Sequence, residues 1–531
     1  MGLRDVVRRS RGGVRVGATA PMPARSAAGK GDRWALTSVV NHVTFAGARM
    51  IAWYLAEPQT WSFRSVAEGE ALIRSHAACL ADLVGTTVYG RVTHRPYPVS
   101  HWARAHWENA PDPQEGFAQL VERDQLHMSA STQADKLVFY GVDLGERPKV
   151  TAALGKLVAG ALEREMAALQ QRFADVDRVM ASVGMAAHPA GPAEMEWLLA
   201  RSFALGCPVP VPDPHTDPRP VLDADDLDEW VSTVSWDAEP LAASTRVTTS
   251  INETPVTRHV VVLSLARMAD IAIPEEHEPW MAATDALPWQ CEWSWRVDPR
   301  HPDEVSKEMT KIGNRVDGQV DHWLVDHGKR PPKQLARQAD SRAQVDDEQR
   351  RGFTHLSTRT RGWYRIAVSA ATEQEALQRA AAVVELYKPA TKWVRDLGQY
   401  HLAREFVPGE PLSSSAHCRH FPVVKVAAGL PAVTAEVGDR RGFHIGETAG
   451  LSARAVCFDP WYLPEVMEAS GVVPIIGVQG SGKSAFMGEL CYKSALSGAR
   501  GVAMDPAGRL QRMLALPELA SISHQVDVLG G

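Results

Sequence analysis

The chain has 531 residues, of which 45% are hydrophobic and 23% are charged, as in ordinary soluble globular proteins. This length predicts about two to four domains, and the net charge of −6 at pH 7 gives no whole-protein argument for nucleic-acid binding. No apolar run approaches the roughly 20 residues that span a bilayer, and six scattered cysteines without a Cys-x-x-Cys pair favour a reducing cytoplasm.

The first 33 residues are strongly basic. They carry eight Arg and Lys side chains against Asp5 and Asp32, and Gly, Ala, Ser and Pro fill most of the remainder. This composition predicts a disordered basic arm at 1–33. Contact with DNA or anionic lipid is one interpretation of the arm, and a solvated tail is the preferred one.

Strands and helices mix from Trp34 onwards. Strands are predicted at 50–55 and 137–142, and a helix is predicted from Ser65 to Leu83. The strongest helical pattern follows Thr151, a possible cap, with apolar residues at spacings of four and three: Leu162, Met166, Leu169, Phe173, Val176, Met180 and Val183. This apolar seam along one face of the helix could form a coiled coil with another subunit, but packing on its own domain is the favoured interpretation.

The central part of the chain predicts more strands, at 259–263, 292–297 and 363–368, and an exposed helix at 303–327. Trp293 and Trp295 are interpreted as core residues rather than as platforms for nucleic-acid bases. Thr372 begins a capping box and a helix that runs to about Tyr387. This β–α unit predicts an α+β domain.

One short segment, 417–420, holds three possible metal ligands. They are His417, Cys418 and His420. A structural zinc site takes four ligands, and nothing nearby in the sequence completes this set.

A phosphate-binding loop lies near the end of the chain. The pattern G-x-x-x-x-G-K-[ST] is matched by Gly477, Val478, Gln479, Gly480, Ser481, Gly482, Lys483 and Ser484. In such a loop the backbone N–H groups cradle the phosphates, the lysine reaches the β- and γ-phosphates and the hydroxyl binds Mg²⁺. A strand at 472–476, a helix at 485–496 and a strand at 500–505 are the predicted flanks. The alternative is a Gly-rich turn before a surface helix.

Residues around this loop resemble a known family. The lead-in reads Phe-His-Ile-Gly at 443–446 and Val-Cys-Phe-Asp-Pro at 456–460, and Gly-Ala-Arg-Gly-Val-Ala-Met-Asp-Pro follows at 498–506. Together with the loop they resemble the large ATPase of type IV secretion and conjugative DNA-transfer systems (VirB-type, TraC-like). That family belongs to the FtsK–HerA group of motor ATPases. The resemblance covers roughly residues 34–531.

The resemblance implies an α/β protein built as an N-terminal α+β domain followed by the first β–α–β unit of a RecA-like P-loop NTPase domain. The expected domains are the arm at 1–33, a channel-docking domain at 34–450 and an incomplete ATPase domain at 451–531. ATP and Mg²⁺ are the implied cofactors. The implied partners are inner-membrane secretion channel components, with a hexamer for the complete protein and a place at the cytoplasmic face of the membrane. Contact with DNA is left open.

The sequence departs from the family in one respect. Members carry a later strand that ends in an acidic pair, which orders Mg²⁺ and the attacking water. Residues 502–505 come too early for that strand, so Asp505 is interpreted as a structural cap, and no catalytic residue is assigned. Because the chain ends at Gly531, with 526–531 resembling an interrupted strand and turn, we expect a truncated enzyme. Such a chain would bind ATP weakly, hydrolyse it negligibly and expose apolar surface in 471–531.

Two other classes of function remain open. One is a different P-loop NTPase, such as an AAA+ remodeller or a kinase. The other is a non-catalytic channel-docking subunit whose loop is vestigial. Nucleotide binding by the purified chain separates the second class from the enzymes.

Overall fold

The structure is a computed structural model, and it forms two compact units. The described residues are 34–61, 64–130, 134–146, 155–210, 217–251, 253–269, 279–326, 330, 332, 335, 358–434, 437–448, 455–505, 508 and 510–526. The first unit holds the described residues up to His94 and from Lys136 to Thr434, and the second holds those of 95–135 and 435–531. The predicted basic arm at 1–33 lies outside the described residues.

The strands divide between the two units. Those before residue 435 are β1 (Leu36–Val40), β2 (Val43–Ala46), β3 (Arg49–Ala56), β4 (Gln59–Thr60), β5 (Val88–Pro96), β6 (Ala134–Glu146), β7 (Ala187–Pro189), β8 (Val221–Leu222), β9 (Val234–Trp236), β10 (Thr245–Ile251), β11 (Thr254–Met268), β12 (Glu292–Arg300), β13 (Arg359–Ala370), β14 (Thr391–Val394), β15 (Arg419–Pro422) and β16 (Val433–Thr434). The second unit adds β17 (Phe443–Glu447) and β18 (Ala455–Phe458), which pair antiparallel.

The helices lie on and between these strands. In chain order they are α1 (Val66–Asp82), α2 (Val99–Glu108), α3 (Phe117–Ala130), α4 (Gly155–Met180), α5 (Pro192–Phe203), α6 (Ala224–Ser232), α7 (Pro302–Asp321), α8 (Glu373–Leu386), α9 (Gln399–Arg404), α10 (Val423–Ala427), α11 (Tyr462–Glu465), α12 (Lys483–Leu496), α13 (Gln511–Leu514) and α14 (Pro517–Ala520). No helix in the described part of the chain is both long enough and apolar enough to cross a bilayer.

A 14-stranded sheet forms the centre of the first unit. Its main path runs β8-β1-β2-β3-β6-β5-β12-β13-β11-β10-β9, while β7, β14 and β15 pair beside β3, β11 and β13. Within this sheet the pairs β1–β2, β3–β6, β5–β12, β12–β13, β11–β13 and β10–β11 are antiparallel, and β4 and β16 form a separate parallel pair. The chain is therefore a mixed α/β protein with a large antiparallel sheet and several helices.

Strand β3 shows how this sheet is buried. Met50, Ala52 and Tyr54 belong to one apolar cluster, whereas Ile51 and Trp53 belong to another. Successive side chains of a strand point to opposite faces, so both faces of the sheet are covered. Burial on both sides explains why the central strands are almost continuously apolar in sequence.

The predicted strands of this unit are confirmed. Residues 50–55, 137–142, 259–263, 292–297 and 363–368 lie in β3, β6, β11, β12 and β13. Trp293 and Trp295 are buried in the main core cluster, as the packing interpretation requires.

The predicted helices are also found, with two changes of length. Ser65 caps α1 through a capping box with Glu68, and the Thr372 hydroxyl accepts from the Glu375 N–H at the start of α8. Helix α7 ends at Asp321, before the predicted end at 327, and residues His322–Asp326 form a π-helical turn. Helix α4 begins at Gly155, and Thr151 lies outside the described residues.

The seam of α4 packs on its own unit. Leu169, Phe173, Val176 and Met180 are buried in the core cluster that includes the β3 residues. Val183, past the end of the helix, is exposed. The seam residues of α4 therefore stabilise the first unit, as the favoured interpretation predicted.

A buried ion-pair network crosses the first unit. Arg91 on β5 is 2% exposed, and its Nη2 lies 2.6 Å from the Oε2 of Glu292 on β12. Arg201 on α5 approaches the other oxygen of the same carboxylate, with Nε 2.5 Å from Oε1. One carboxylate thus compensates two guanidinium groups, and losing it would leave both charges buried.

A candidate phosphate-binding loop

The second unit surrounds the loop helix α12 with α2, α3 and the β17–β18 hairpin. Its apolar core combines side chains from all of these elements and from the C-terminal turns: Trp102, Ala103, Phe117, Leu120, Val121, Met128, Phe443, Cys457, Leu496 and Leu519. Helices α2 and α3 precede the loop by more than 340 positions in the chain. The helix that carries the loop is therefore packed against a distant insertion.

The loop has backbone angles that its glycines permit. Gly480 and Gly482 have φ values of +83° and +90°, a region in which a Cβ would be strained. Gly482 is the N-cap residue of α12, which begins at Lys483. The chain therefore turns sharply and enters a helix whose first N–H groups have no partner within the helix.

The Lys483 side chain folds back over the loop. Its Nζ donates hydrogen bonds to the carbonyl oxygens of Gly477, at 2.8 Å, and Val478, at 2.7 Å. An ammonium group on the phosphate side of the loop can exchange these carbonyls for phosphate oxygens, which are stronger partners because they are charged.

The other predicted loop residues occupy consistent positions. Ser484 is the second residue of α12 and is half-buried, and the Ser481 N–H donates to the Val478 carbonyl at 3.2 Å. Val478 and Gln479 are exposed before the helix. All eight predicted residues, 477–484, thus lie on one exposed turn and the first helical residues after it.

Lys493 holds the loop helix in the unit. This residue is only 3% exposed, although it is a lysine. Its Nζ lies 3.4 Å from Asp124 Oδ2 on α3 and 3.0 Å from Glu489 Oε1, and it donates to the carbonyl oxygen of His444 on β17. A buried charge is tolerated when it is paired and hydrogen-bonded in this way.

The connection between α2 and α3 contacts the other end of the loop helix. The N–H groups of Asp112 and Gln114 donate to the carbonyls of Ser497 and Leu496 at 3.2 and 2.8 Å. Gly498 has φ +89°, and a Cβ there would lie 2.1 Å from the Asp112 carbonyl oxygen. These bonds satisfy carbonyls that the end of a helix leaves without partners.

The two strands predicted beside the loop are wrong for this structure. Residues 472–476 and 500–505 have no strand assignment, and Ile476 and Val502 are 89% and 90% exposed. A strand needs ladder partners, and none pairs with these segments among the described residues. The apolar surface expected in this region is present. The first β–α–β unit of a RecA-like sheet is therefore not confirmed in the described part of this region.

Asp505 lies in a local turn. Its Oδ2 accepts a hydrogen bond of 2.6 Å from the Leu510 N–H. This contact agrees with a structural cap, although the cap serves the turn after 505 and not a strand end. Residues 527–531, most of the expected interrupted strand, lie outside the described residues.

Burial sets the protonation of several groups in this unit. It lowers the pKa of His106 to about 4 and also lowers the pKa of His444. Both imidazoles are therefore neutral at pH 7, and a neutral imidazole can bind a metal ion. Burial raises the pKa of Cys457 to about 12, so its thiol is protonated and unreactive.

The possible ligands at 417–420 do not converge. His417 Nε2 lies 3.0 Å from Asp396 Oδ1, while Cys418 Sγ and His420 Nε2 are 3.9 Å apart. Within the described ranges, the three-ligand group that does converge is a different one, formed by His127, His444 and Glu447.

Sequence reasoning missed this three-ligand group and the buried Lys493. His127 precedes His444 by 317 positions and lies on a different element from His444 and Glu447, and nothing in the local sequence links it to them. From the sequence alone, Lys493 is indistinguishable from a solvent-exposed lysine on a surface helix. Only its tertiary neighbours distinguish it.

No protein-family model matches the chain. No curated protein matches it either. The functional assignment therefore depends on the loop residues, their geometry and the resemblance of the flanking sequences.

Proposed function

We propose that this protein binds ATP with Mg²⁺ at residues 477–484, as an ATPase subunit of a conjugative-transfer or type IV secretion system. The observation that carries the proposal is the loop itself. Gly480 and Gly482 turn the backbone into the start of α12, and Lys483 already faces the carbonyls of the loop. A helix N-terminus with a cation beside it favours a phosphate group.

Different residues of the loop would bind different parts of the Mg²⁺–ATP complex. The N–H groups of 479–483 would surround the phosphates, Lys483 would contact the β- and γ-phosphates, and the Ser484 hydroxyl would bind Mg²⁺. The family resemblance extends the proposal to the assembly and the cellular role of the protein. The protein would assemble as a hexamer on inner-membrane channel components, at the cytoplasmic face, and power substrate transfer or pilus assembly.

A non-catalytic docking subunit is the second candidate, and one observation favours it. The segments 472–476 and 500–505 are exposed and unpaired in the described chain, so the loop lacks the sheet that usually holds it. Turnover also needs a carboxylate that orders Mg²⁺ or positions water, and Asp505 is used in a turn.

Titration of a fluorescent ATP analogue with Mg²⁺ tests the proposal. Lys483→Ala removes a charge-assisted contact worth roughly 1.5–3 kcal/mol, so affinity should fall about 10- to 100-fold. Lys392→Ala, at an exposed lysine of β14, is the matched control and should bind as the wild type does. Equal affinity in the wild type and Lys483→Ala would contradict phosphate binding by this loop.

Phosphate release by the same proteins separates the candidates. We expect negligible turnover by the wild type, no greater than that of Lys483→Ala. Robust release that Lys483→Ala abolishes would show that the chain supplies its own catalytic carboxylate. Weak binding that Lys483→Ala reduces, without phosphate release, fits an ATP-binding chain, and no binding at all favours the docking subunit.

A further inference from the structure

Three potential metal ligands meet in the second unit, away from the phosphate-binding loop. His127 lies near the end of α3, while His444 and Glu447 lie on β17. One ligand atom from each residue lies within 4.8 Å of the other two. His127 Nε2 is 3.3 Å from Glu447 Oε1, and the two imidazole rings are 5.3 Å apart between centroids.

A β-bulge aligns the two ligands on β17. In a regular strand, residues three apart point to opposite faces, so His444 and Glu447 would diverge. The pairing of β17 with β18 shifts register between His444 and Gly446, because His444 pairs with Cys457 and Gly446 with Val456. The extra residue re-aims the side chains after it. Both ligands can therefore face His127.

His444 supplies independent evidence for a ligand. Its side chain is 8% exposed, and its Nε2 is buried with no hydrogen-bond partner among the described residues. Leaving such a nitrogen unsatisfied costs about 1–3 kcal/mol. A bound metal ion in this cluster would give the ring a partner that the described part of the chain does not provide.

We propose that His127, His444 and Glu447 bind one divalent transition-metal ion of the zinc class. Two imidazoles and one carboxylate suit Zn²⁺, whereas Mg²⁺ and Ca²⁺ prefer oxygen ligands throughout. Tetrahedral zinc with bonds of about 2.0–2.1 Å needs ligand atoms roughly 3.3 Å apart. His127 and Glu447 are exposed, so small rotations of their side chains can close the remaining gap.

The charges around the site are compatible with a cation. Lys493 is a buried cation beside the site, and it donates to the carbonyl oxygen of His444. Its charge is compensated by Asp124 at 3.4 Å and Glu489 at 3.0 Å. Glu447 adds a further negative charge. The metal would tie α3 to the β17–β18 hairpin, directly beside the residue that anchors the loop helix.

Metal binding to the full chain tests this proposal. The chain is stripped with a chelator and titrated with Zn²⁺ in competition with a chromophoric chelator, and with Co²⁺ as a spectroscopic probe. We expect one site per chain. His127→Ala removes an exposed ligand and should preserve the fold, while affinity falls by roughly 100-fold or more, since even loss of an outer-shell partner costs 10–100-fold. Glu447→Gln should weaken binding as well.

Two control variants make the result specific. His524→Ala changes an exposed histidine of the same unit and should bind metal as the wild type does. Cys418→Ser should also have no effect. The proposal is overturned if the wild type binds no Zn²⁺, if His127→Ala retains full affinity, or if Cys418→Ser abolishes binding. Because the readout involves no nucleotide, it is independent of the proposed function.

Discussion

Replacing Lys493 by methionine should loosen the loop helix without changing the phosphate-binding loop. Removing one partner of a buried ion pair costs about 3–5 kcal/mol. Two features favour the lower end: the Glu489 side chain is 49% exposed, and Arg123 Nη2 lies 3.3 Å from the Asp124 carboxylate. After the substitution, the Glu489 carboxylate thus remains in contact with solvent, and the Asp124 carboxylate remains paired with Arg123. We therefore expect a loss of about 3 kcal/mol in the stability of the second unit.

Hydrogen exchange of the α12 amides measures this loss locally. If these amides exchange through opening of the unit, a loss of about 3 kcal/mol should speed their exchange by roughly 100-fold. Glu489→Gln is the matched control, because the Glu489 side chain is 49% exposed and Lys493 keeps the Asp124 carboxylate, so this change should cost less than about 1 kcal/mol. The reasoning is refuted if Lys493→Met leaves protection unchanged, or if Glu489→Gln has the same effect.

A double-mutant cycle separates the ion pair from simple packing. Asp124→Asn alone removes the carboxylate that Lys493 faces on α3. If the two residues interact, Lys493→Met combined with Asp124→Asn should cost less than the sum of the single changes, with a coupling energy of about 1 kcal/mol or more. Additive effects would show that the pair itself contributes nothing to holding the helix.

Two further predictions concern the first unit. Glu292→Gln should lower its free energy of unfolding by about 3–5 kcal/mol in urea denaturation, because Arg91 and Arg201 keep buried charges without a carboxylate. Asp237→Asn, at an exposed ion pair, should change it by less than about 1 kcal/mol. Burial lowers the pKa of His76 from 6.5 to about 4, so the unfolded chain binds the proton first as pH falls. Stability should therefore be full above pH 6.5 and decline towards pH 4, by up to about 1.4 kcal/mol per pH unit, and His76→Gln should flatten that decline.

Local sequence signals correctly predicted several central strands and helices of the first unit. Apolar residues at strand spacing identified β3, β6, β11, β12 and β13, and cap residues such as Ser65 and Thr372 marked helix starts. These signals work because side-chain period and end capping are short-range properties of the chain. The order of strands in the sheet is not such a property, so it could not be predicted.

The same local signals failed beside the loop. Residues 472–476 have the apolar, β-branched composition of a buried strand, yet they are exposed and unpaired in the described chain. Strand propensity describes how well a residue fits a pleated, half-buried surface, and it is not an intrinsic backbone preference. Without a neighbouring strand among the described residues the segment forms no β-ladder, and most of its apolar side chains stay in contact with water.

The sequence by itself determined the phosphate-binding pattern at 477–484, since its glycines, lysine and serine act through the backbone of one short turn. Tertiary structure alone decided what surrounds that turn. It packed α2 and α3 against α12, buried Lys493 beside Asp124, and brought His127 to His444 and Glu447. These contacts join residues hundreds of positions apart. They form because the apolar faces of separate elements must be buried together, and that requirement leaves no local mark on the sequence.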